Sequence, residues 1–341
     1  MKAAFLVQNG VAPSAFQVRE TDLPQFNENE VLIKVETFGL NYADVMARKG
    51  LYAAAPPLPS ILGYEAVGHI FKTGKNVSQF KEGDRVLAFT KFGAYAEYCV
   101  APIEAVVKLP DEIPNDVATA LATQYCTAIY AAKRMANIQK SERVLIHAAA
   151  GGVGHAFIQL AQHMGCEIIA TVGNDDKKDY LKNMGLTHVI NYSETSFNEI
   201  VKSTFGQKSV DVIFDPIGGK NHKLNRELLA IGGRMIMYGI SSFSNKKGTW
   251  YDKLQLMFQF GFLSPLHFLI HSNGIIGVNM LHVASEKPNI LTELLQDAVE
   301  GYINGIYKPQ MAFHGKISDL PHAHELLEKR STIGKLAVSW I

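Results

Sequence analysis

The chain has 341 residues, material for about two domains at ~100–200 residues each. Apolar residues make 47% of it and charged residues 19%, which excludes a disordered chain or a coiled coil. Thirty-three Lys and Arg against thirty-two Asp and Glu give a net charge of +1, so neither a nucleic-acid-binding surface nor an acidic tail is indicated.

From the start, MKAAFLVQNG is apolar for only a few residues before Gln8 and Asn9; it does not read as a signal peptide, and the cytoplasm is the expected compartment. Short β-rich runs follow (VLIKVETFGL, AVGHIF, DRVLAF, AYAEYCV), punctuated by Gly50, Pro56, Pro57, Pro59, Gly63 and Gly83. They predict a rolled antiparallel sheet over residues 1–121. Cys99, Cys126 and Cys166 lie far apart, which speaks against a disulfide scaffold or a cysteine-built zinc site. A helical pattern over 116–136 then leads into alternation. Strand-like runs at 143–148, 167–172, 188–191, 210–215, 234–239 and 274–281 are separated by helical stretches such as 153–164, 177–184 and 197–205, predicting a parallel doubly wound sheet over 122–288. The apolar window 254–270 contains Gln255, Gln259, Gly261, Pro265 and His267, so no membrane span is expected. Helical patterns at 290–303 and 320–330 and a strand at 335–340 have no further alternation to join. Residues 289–341 are expected to return to the first domain, completing an α/β protein.

The sharpest local signal is RVLIHAAAGGVGHAFIQLA. A strand gives way at Ala149 and Ala150 to Gly151, Gly152, Val153 and Gly154, and a helix begins. Glycine at such a turn lets backbone N–H groups approach a pyrophosphate, and the helix N-terminus adds its partial positive charge. The next strand ends at Thr171, Val172, Gly173, Asn174, without the acid that takes ribose hydroxyls about twenty residues on in NAD-binding units. Gly173 leaves room for a 2′-phosphate, and Lys177 and Tyr192 are positioned in sequence to bind it. Asp175 and Asp176 are the competing feature, since either can hold a ribose instead.

GLNYADVMARKGLY, LPSILGYEAVGHI, FKEGDRV, GAYAEY, AAAGGVG, VINY, DPIGG and STIGKLAV occur in this order. Together they resemble the medium-chain dehydrogenase/reductase superfamily, in its zinc-free quinone oxidoreductase (zeta-crystallin) branch. The long aromatic stretch after Tyr238 is similar to the subgroup named after the synaptic-vesicle membrane transport protein. The resemblance implies a GroES-like catalytic domain and a Rossmann domain, NADPH as hydride donor, a quinone or an α,β-unsaturated carbonyl as acceptor, and no metal. Zinc-dependent relatives place a Cys where this chain has Asn41, a His at Tyr64 and a Cys at or near Thr123. The remaining histidines are scattered; His322 and His324 sit two apart on a helical pattern and point to different faces.

The same resemblance offers Asn41, Asp44, Tyr52 and Thr127 as cleft residues. Tyr52, with an ordinary phenol pKa of about 10, stays protonated near neutrality and can donate to the acceptor oxygen. Asn41 can donate through its amide, Thr127 can hold the nicotinamide carboxamide or the substrate, and Asp44 orients its neighbours. The plainer alternatives are a turn residue, a loop anchor and a helix-start hydroxyl for Asn41, Tyr52 and Thr127. Glu65 reads as a structural acid paired with a buried arginine. Tyr238 and Gly239 join the cofactor set, and Lys335 does so by its family position. Trp250, Leu254, Met257 and Phe258 fall at helical spacing in the long insertion at residues 242–270. It packs as core, roofs the cleft, or faces a membrane or partner with Lys246 and Lys247. The apolar run GIIGVNML from Gly274 to Leu281 is expected to pair as an edge strand across a homodimer. The competing functional classes are a nucleotide-binding protein with weak or no catalysis and a zinc alcohol dehydrogenase.

Overall fold

The computed structural model describes every residue except Asn245, Lys247, Phe262 and Ile341, so Lys247 of the expected cationic patch lies outside the described residues. In chain order the strands are β1 (Lys2–Leu6), β2 (Phe16–Glu20), β3 (Glu30–Leu40), β4 (Ser60–Ile61), β5 (Glu65–Thr73), β6 (Arg85–Phe89), β7 (Tyr98–Pro102), β8 (Val106–Lys108), β9 (Arg143–Ile146), β10 (Glu167–Val172), β11 (His188–Asn191), β12 (Val210–Asp215), β13 (Leu229–Met237), β14 (Gly274–Gly277), β15 (Met311–Lys316) and β16 (Lys335–Ser339). The chain divides into two units, residues 1–126 with 280–341, and residues 127–279.

The first unit is built on β sheets. One has the order β15-β16-β3-β5-β6-β8, with β7 also pairing on β3; a second has the order β2-β1-β4. The long strand β3 carries the arrangement. Val31, Ile33, Val35, Phe38 and Leu40 are buried in one core with Ala66, Ile70, Val86, Leu336 and Val338. The last strand returns to this unit: β16 lies antiparallel to β3, with Ala337 opposite Gly39, and β3 is antiparallel to β5.

In the second unit six parallel strands run in the order β11-β10-β9-β12-β13-β14. The topology switches between β9 and β12, the place where doubly wound sheets bind ligands beyond their carboxyl ends. Register sets the packing. Ile169, Leu145, Ile213 and Met235 lie side by side across four strands and are buried in one core, each contributing roughly 1.5–3 kcal/mol. The adjacent row faces the other way, where Phe214 stacks on Phe157 of the helix Gly152–His163 with ring centroids 3.8 Å apart.

Two expectations are corrected. The edge strand stops at Gly277 and Met280–Glu286 is a helix, so Met280 and Leu281 are buried helical residues rather than strand. The helix Trp250–Phe260 buries none of its residues fully; Trp250 is 75% and Phe258 62% exposed, so its apolar spacing does not mark core. Among the described residues no helix is long and apolar enough to cross a membrane.

Candidate functional site

In the first unit, polar chemistry converges where β3, β5 and β16 meet. Asn41 follows β3, Glu65 opens β5 and Lys335 opens β16. Gly39 makes room for them: a Cβ there would strike the Glu65 carboxylate and the end of the Lys335 side chain. The Lys335 and Glu65 side chains are fully buried and ion-paired. Lys335 also donates to Asn41 Oδ1 at 2.9 Å. Because an ammonium only donates, this contact fixes the amide orientation. Asn41 Nδ2 is thereby turned toward both Glu65 oxygens, at 2.8 Å each. Thr123 Oγ1 completes the carboxylate's partners, reaching it from the π-helical turn Leu121–Tyr125.

Asp44 caps the helix Tyr42–Arg48. Its Oδ2 accepts the Asn41 N–H at 2.8 Å and its Oδ1 the Gly63 N–H at 3.2 Å. Burial pushes its carboxyl up to about 8, against the lowering effect of the Asn41 N–H. Tyr52 packs on this core, its ring edge-on to Tyr64 with centroids 6.4 Å apart. Burial raises the Tyr52 phenol above its usual range, so the hydroxyl is a protonated donor at neutral pH.

The second unit presents its own constellation at the carboxyl ends of its strands. After β9, Ala148 takes φ +50 and the helix Gly152–His163 starts from Gly151. A Cβ on Gly154 would stand 2.5 Å from Ala148 O and 2.7 Å from Ala149 Cα, so glycine there permits the close strand-to-helix packing that points the turn's N–H groups outward. After β10, a Cβ on Gly173 would meet Tyr192 Oη at 2.8 Å, which places that hydroxyl over the strand tip. Asn174 caps the next helix by accepting the Lys177 N–H. The Asp175 carboxylate accepts from Asn191 Nδ2 at 3.2 Å and faces Lys178 at 3.6 Å. The Asn191 bond and the neighbouring cation lower its pKa. After β12, Asp215 Oδ1 accepts the N–H groups of Ile217 and Gly218 at 2.7 and 3.0 Å and so shapes the DPIGG turn. Its other oxygen accepts from Asn225 Nδ2 at 3.1 Å, which turns Asn225 Oδ1 toward His147 Nε2 at 2.8 Å. Burial lowers the pKa of His147, favouring a neutral ring whose Nε2–H donates to Asn225 while Nδ1 accepts from Thr171. After β13, a Cβ on Gly239 would stand 2.9 Å from Pro216 O. Tyr238 rests edge-on against Phe157.

Of the expected site residues, Asn41, Asp44 and Tyr52 lie in the first unit, whereas Thr127 is a buried residue of the second, on the helix Cys126–Ile129. Ala150, Gly151, Gly152, Val153, Gly154, Gly173, Lys177, Tyr192, Tyr238 and Gly239 all sit at the strand-end crest. Lys335 does not fit the expectation of a nucleotide contact: its ammonium is buried against Glu65 and Asn41, consumed by a carboxylate that needs a counter-charge. The partner expected for Glu65 was an arginine, and it is this lysine. The Asn41 amide faces the same carboxylate and is not free to donate elsewhere. Sequence reasoning missed Thr123 as a partner of Glu65 and missed the Asp215–Asn225–His147 chain; the one local signal was an Asp opening a Pro-Ile-Gly-Gly turn. The insertion touches the crest within its own unit. A Cβ on Gly218 would meet Phe260 at 3.1 Å, and one on Gly219 would meet Ser242 Oγ at 2.8 Å and Gln259 Oε1 at 2.9 Å.

Residues 27–111 match the family model of the alcohol dehydrogenase GroES-like domain, and residues 152–294 that of zinc-binding dehydrogenases. The chain is 35% identical over 317 residues to the quinone oxidoreductase of Sus scrofa, covering 92% of this chain and 90% of that protein. It is 27% identical over 328 residues to the synaptic vesicle membrane protein VAT-1 homolog of Rattus norvegicus, covering 94% and 79%. Among solved structures it is similar to Escherichia coli quinone oxidoreductase complexed with NADPH, with a TM-score of 0.85 and 29% identity over 99% of this chain and all of that one.

Proposed function

The chain belongs to the quinone oxidoreductase family of medium-chain dehydrogenases/reductases, and from that premise we propose that it moves a hydride from NADPH to a quinone or an α,β-unsaturated carbonyl without zinc. The observation that carries the reading is the glycine turn from Gly151 to Gly154, opening a helix at the switch point of a six-stranded parallel sheet. NADPH, when bound, supplies the hydride. The chain's part is to hold it: backbone N–H groups of the turn face the pyrophosphate, and Gly173, Tyr192 Oη and Lys177 receive the 2′-phosphate. The turn of the Asp175 carboxylate toward Asn191 and Lys178 supports the phosphate reading over a ribose contact. Tyr52, held protonated, donates to the acceptor oxygen as negative charge grows there. Asn41 and Asp44 position the cleft wall instead of reacting, and Thr127 supports the nicotinamide end. Phe260, Gln259 and Ser242 against Gly218 and Gly219 support a roof at the crest that limits acceptor size.

The residues at the zinc positions do not fit that metal. Asn41 offers an amide already engaged on both sides, Tyr64 a phenol that burial and nearby carboxylates hold protonated, and Thr123 a hydroxyl given to Glu65. A buried ammonium beside them already balances Glu65, and a second cation there meets its repulsion. We further propose a homodimer through the exposed side of β14, in the cytoplasm; a monomer by light scattering at micromolar concentration refutes the assembly.

The deciding experiment mixes the protein with NADPH and a panel of small quinones and enones, with metal analysis in parallel. Oxidation of NADPH by metal-free protein is expected. Fluorescence quenching without oxidation of any acceptor makes the chain a nucleotide-binding protein instead, and stoichiometric zinc with chelator-sensitive activity makes it a zinc enzyme.

A further inference from the structure

A cavity of about 390 Å³ lies between the helix Lys220–Leu228 and the helix Pro265–His271 in the second unit. Its charged lining is nearly one-signed: Lys208, Lys223 and Arg226 border it, with His267 and His271 beside them, against a single carboxylate, Glu227. Glu227 already pairs with Lys202 at 2.7 Å, so cations are in excess. The Arg226 guanidinium borders the cavity, with its Nε buried behind the rim. The field registers on the lining itself: burial first, then His271, Arg226 and Lys208, hold the His267 imidazole below its usual pKa. Gathered like charges raise the electrostatic energy of the cavity, and an anion relieves it.

The cavity is distinct from the glycine turn. Lys208 precedes β12, Leu229 opens β13 and Asn273 precedes β14, which puts it at the amino ends of the parallel strands, whereas the turn follows the carboxyl end of β9. A six-residue strand separates those ends by roughly 20 Å. Apolar side chains line its mouth: Ile231 is 83% and Ile270 66% exposed.

We propose that this cavity is a second anion site, for a phosphate ester carried on an apolar body. The Arg226 guanidinium offers forked donors suited to phosphate oxygens, Lys208 and Lys223 add point charges, and Ile231 and Ile270 cover the apolar part. A soluble phosphate ester and the headgroup of an anionic phospholipid share this chemistry.

The test titrates the full-length protein with inorganic pyrophosphate by calorimetry. Wild type binds it, Arg226→Gln weakens binding about tenfold or more, and Lys208→Gln, on an exposed side chain whose loss leaves folding intact, weakens it several-fold. Saturating NADPH, which fills the glycine turn and its phosphate site, leaves the pyrophosphate affinity of the cavity unchanged. Co-sedimentation with phosphatidylcholine vesicles containing phosphatidylglycerol, lost in Arg226→Gln and Lys208→Gln, assigns a lipid headgroup; pyrophosphate binding without sedimentation assigns a soluble ester. Neither binding nor sedimentation, or binding equal in wild type and both cavity variants, overturns the proposal.

Discussion

Replacing Lys335 by methionine keeps the length of the side chain and deletes its charge. Lys335 and Glu65 are both fully buried, so water does not screen their attraction. In the variant Glu65 keeps Asn41 and Thr123 as donors but loses the ammonium. Removing one partner of a buried pair costs about 3–5 kcal/mol, because the other charge is left uncompensated. At about 2–4 °C per kcal/mol for a unit of this size, the melting temperature of the first unit should fall by about 6–20 °C. Adding Glu65→Gln removes the stranded charge and leaves an amide oxygen to accept from Asn41. The double variant should recover more than half of the loss, the signature of a coupled pair. Differential scanning calorimetry of the wild type, both single variants and the double variant reads all four states. A Lys335→Met protein melting within about 2 °C of wild type, or a double variant equal to the sum of the singles, refutes the coupled buried pair.

Three further outcomes are expected. Burial lifts Asp44 from 3.8 to about 8, so between those values the folded protein holds a proton that the unfolded chain has released; stability from this group is full below about pH 4 and is lost as pH rises through about 8. Asp44→Asn should flatten that decline in a melting-temperature scan against pH, and parallel declines in the two proteins contradict the assignment. Tyr52→Phe should lower turnover with quinones by about 10²–10³-fold and leave NADPH affinity unchanged; an unchanged rate reduces Tyr52 to a loop anchor. Lys177→Ala should raise the apparent constant for NADPH about tenfold or more while leaving that for NADH nearly unchanged, as loss of one charge-assisted contact requires; equal loss with both nucleotides shifts the weight to Asp175 and the ribose.

The parts of this molecule written in short stretches of chain were the legible ones. The turn from Gly151 to Gly154 needs only a strand before it and a helix after it, and the alternation of strands and helices declares a parallel sheet. The buried cluster depends on pairing between distant segments. Glu65 meets Lys335 only because β16 lies on β3 and β3 on β5, and no local pattern carries that register. A lysine heading the apolar run KLAVS was its one trace. The helix Trp250–Phe260 failed for another reason: periodicity reports that a helix has an apolar stripe, and the rest of the fold decides what covers it. At β14 the apolar run continued past Gly277, but the backbone changed from strand to helix within it.

The division of the chain also sets an order of events during synthesis. Residues 127–279 are continuous and complete their sheet from local material, whereas the first unit waits for residues 280–341. Until β16 is made, the end of β3 from Thr37 to Leu40, beyond the stretch that β7 covers, has one open flank, and Glu65 has no cation to accompany it into the interior. A ribosome that has finished the second unit therefore still carries an N-terminal segment with the end of its main strand unpaired on one side, the kind of edge that invites wrong partners. Loss of the last few residues from Lys335 onward would be felt first near the beginning of the chain.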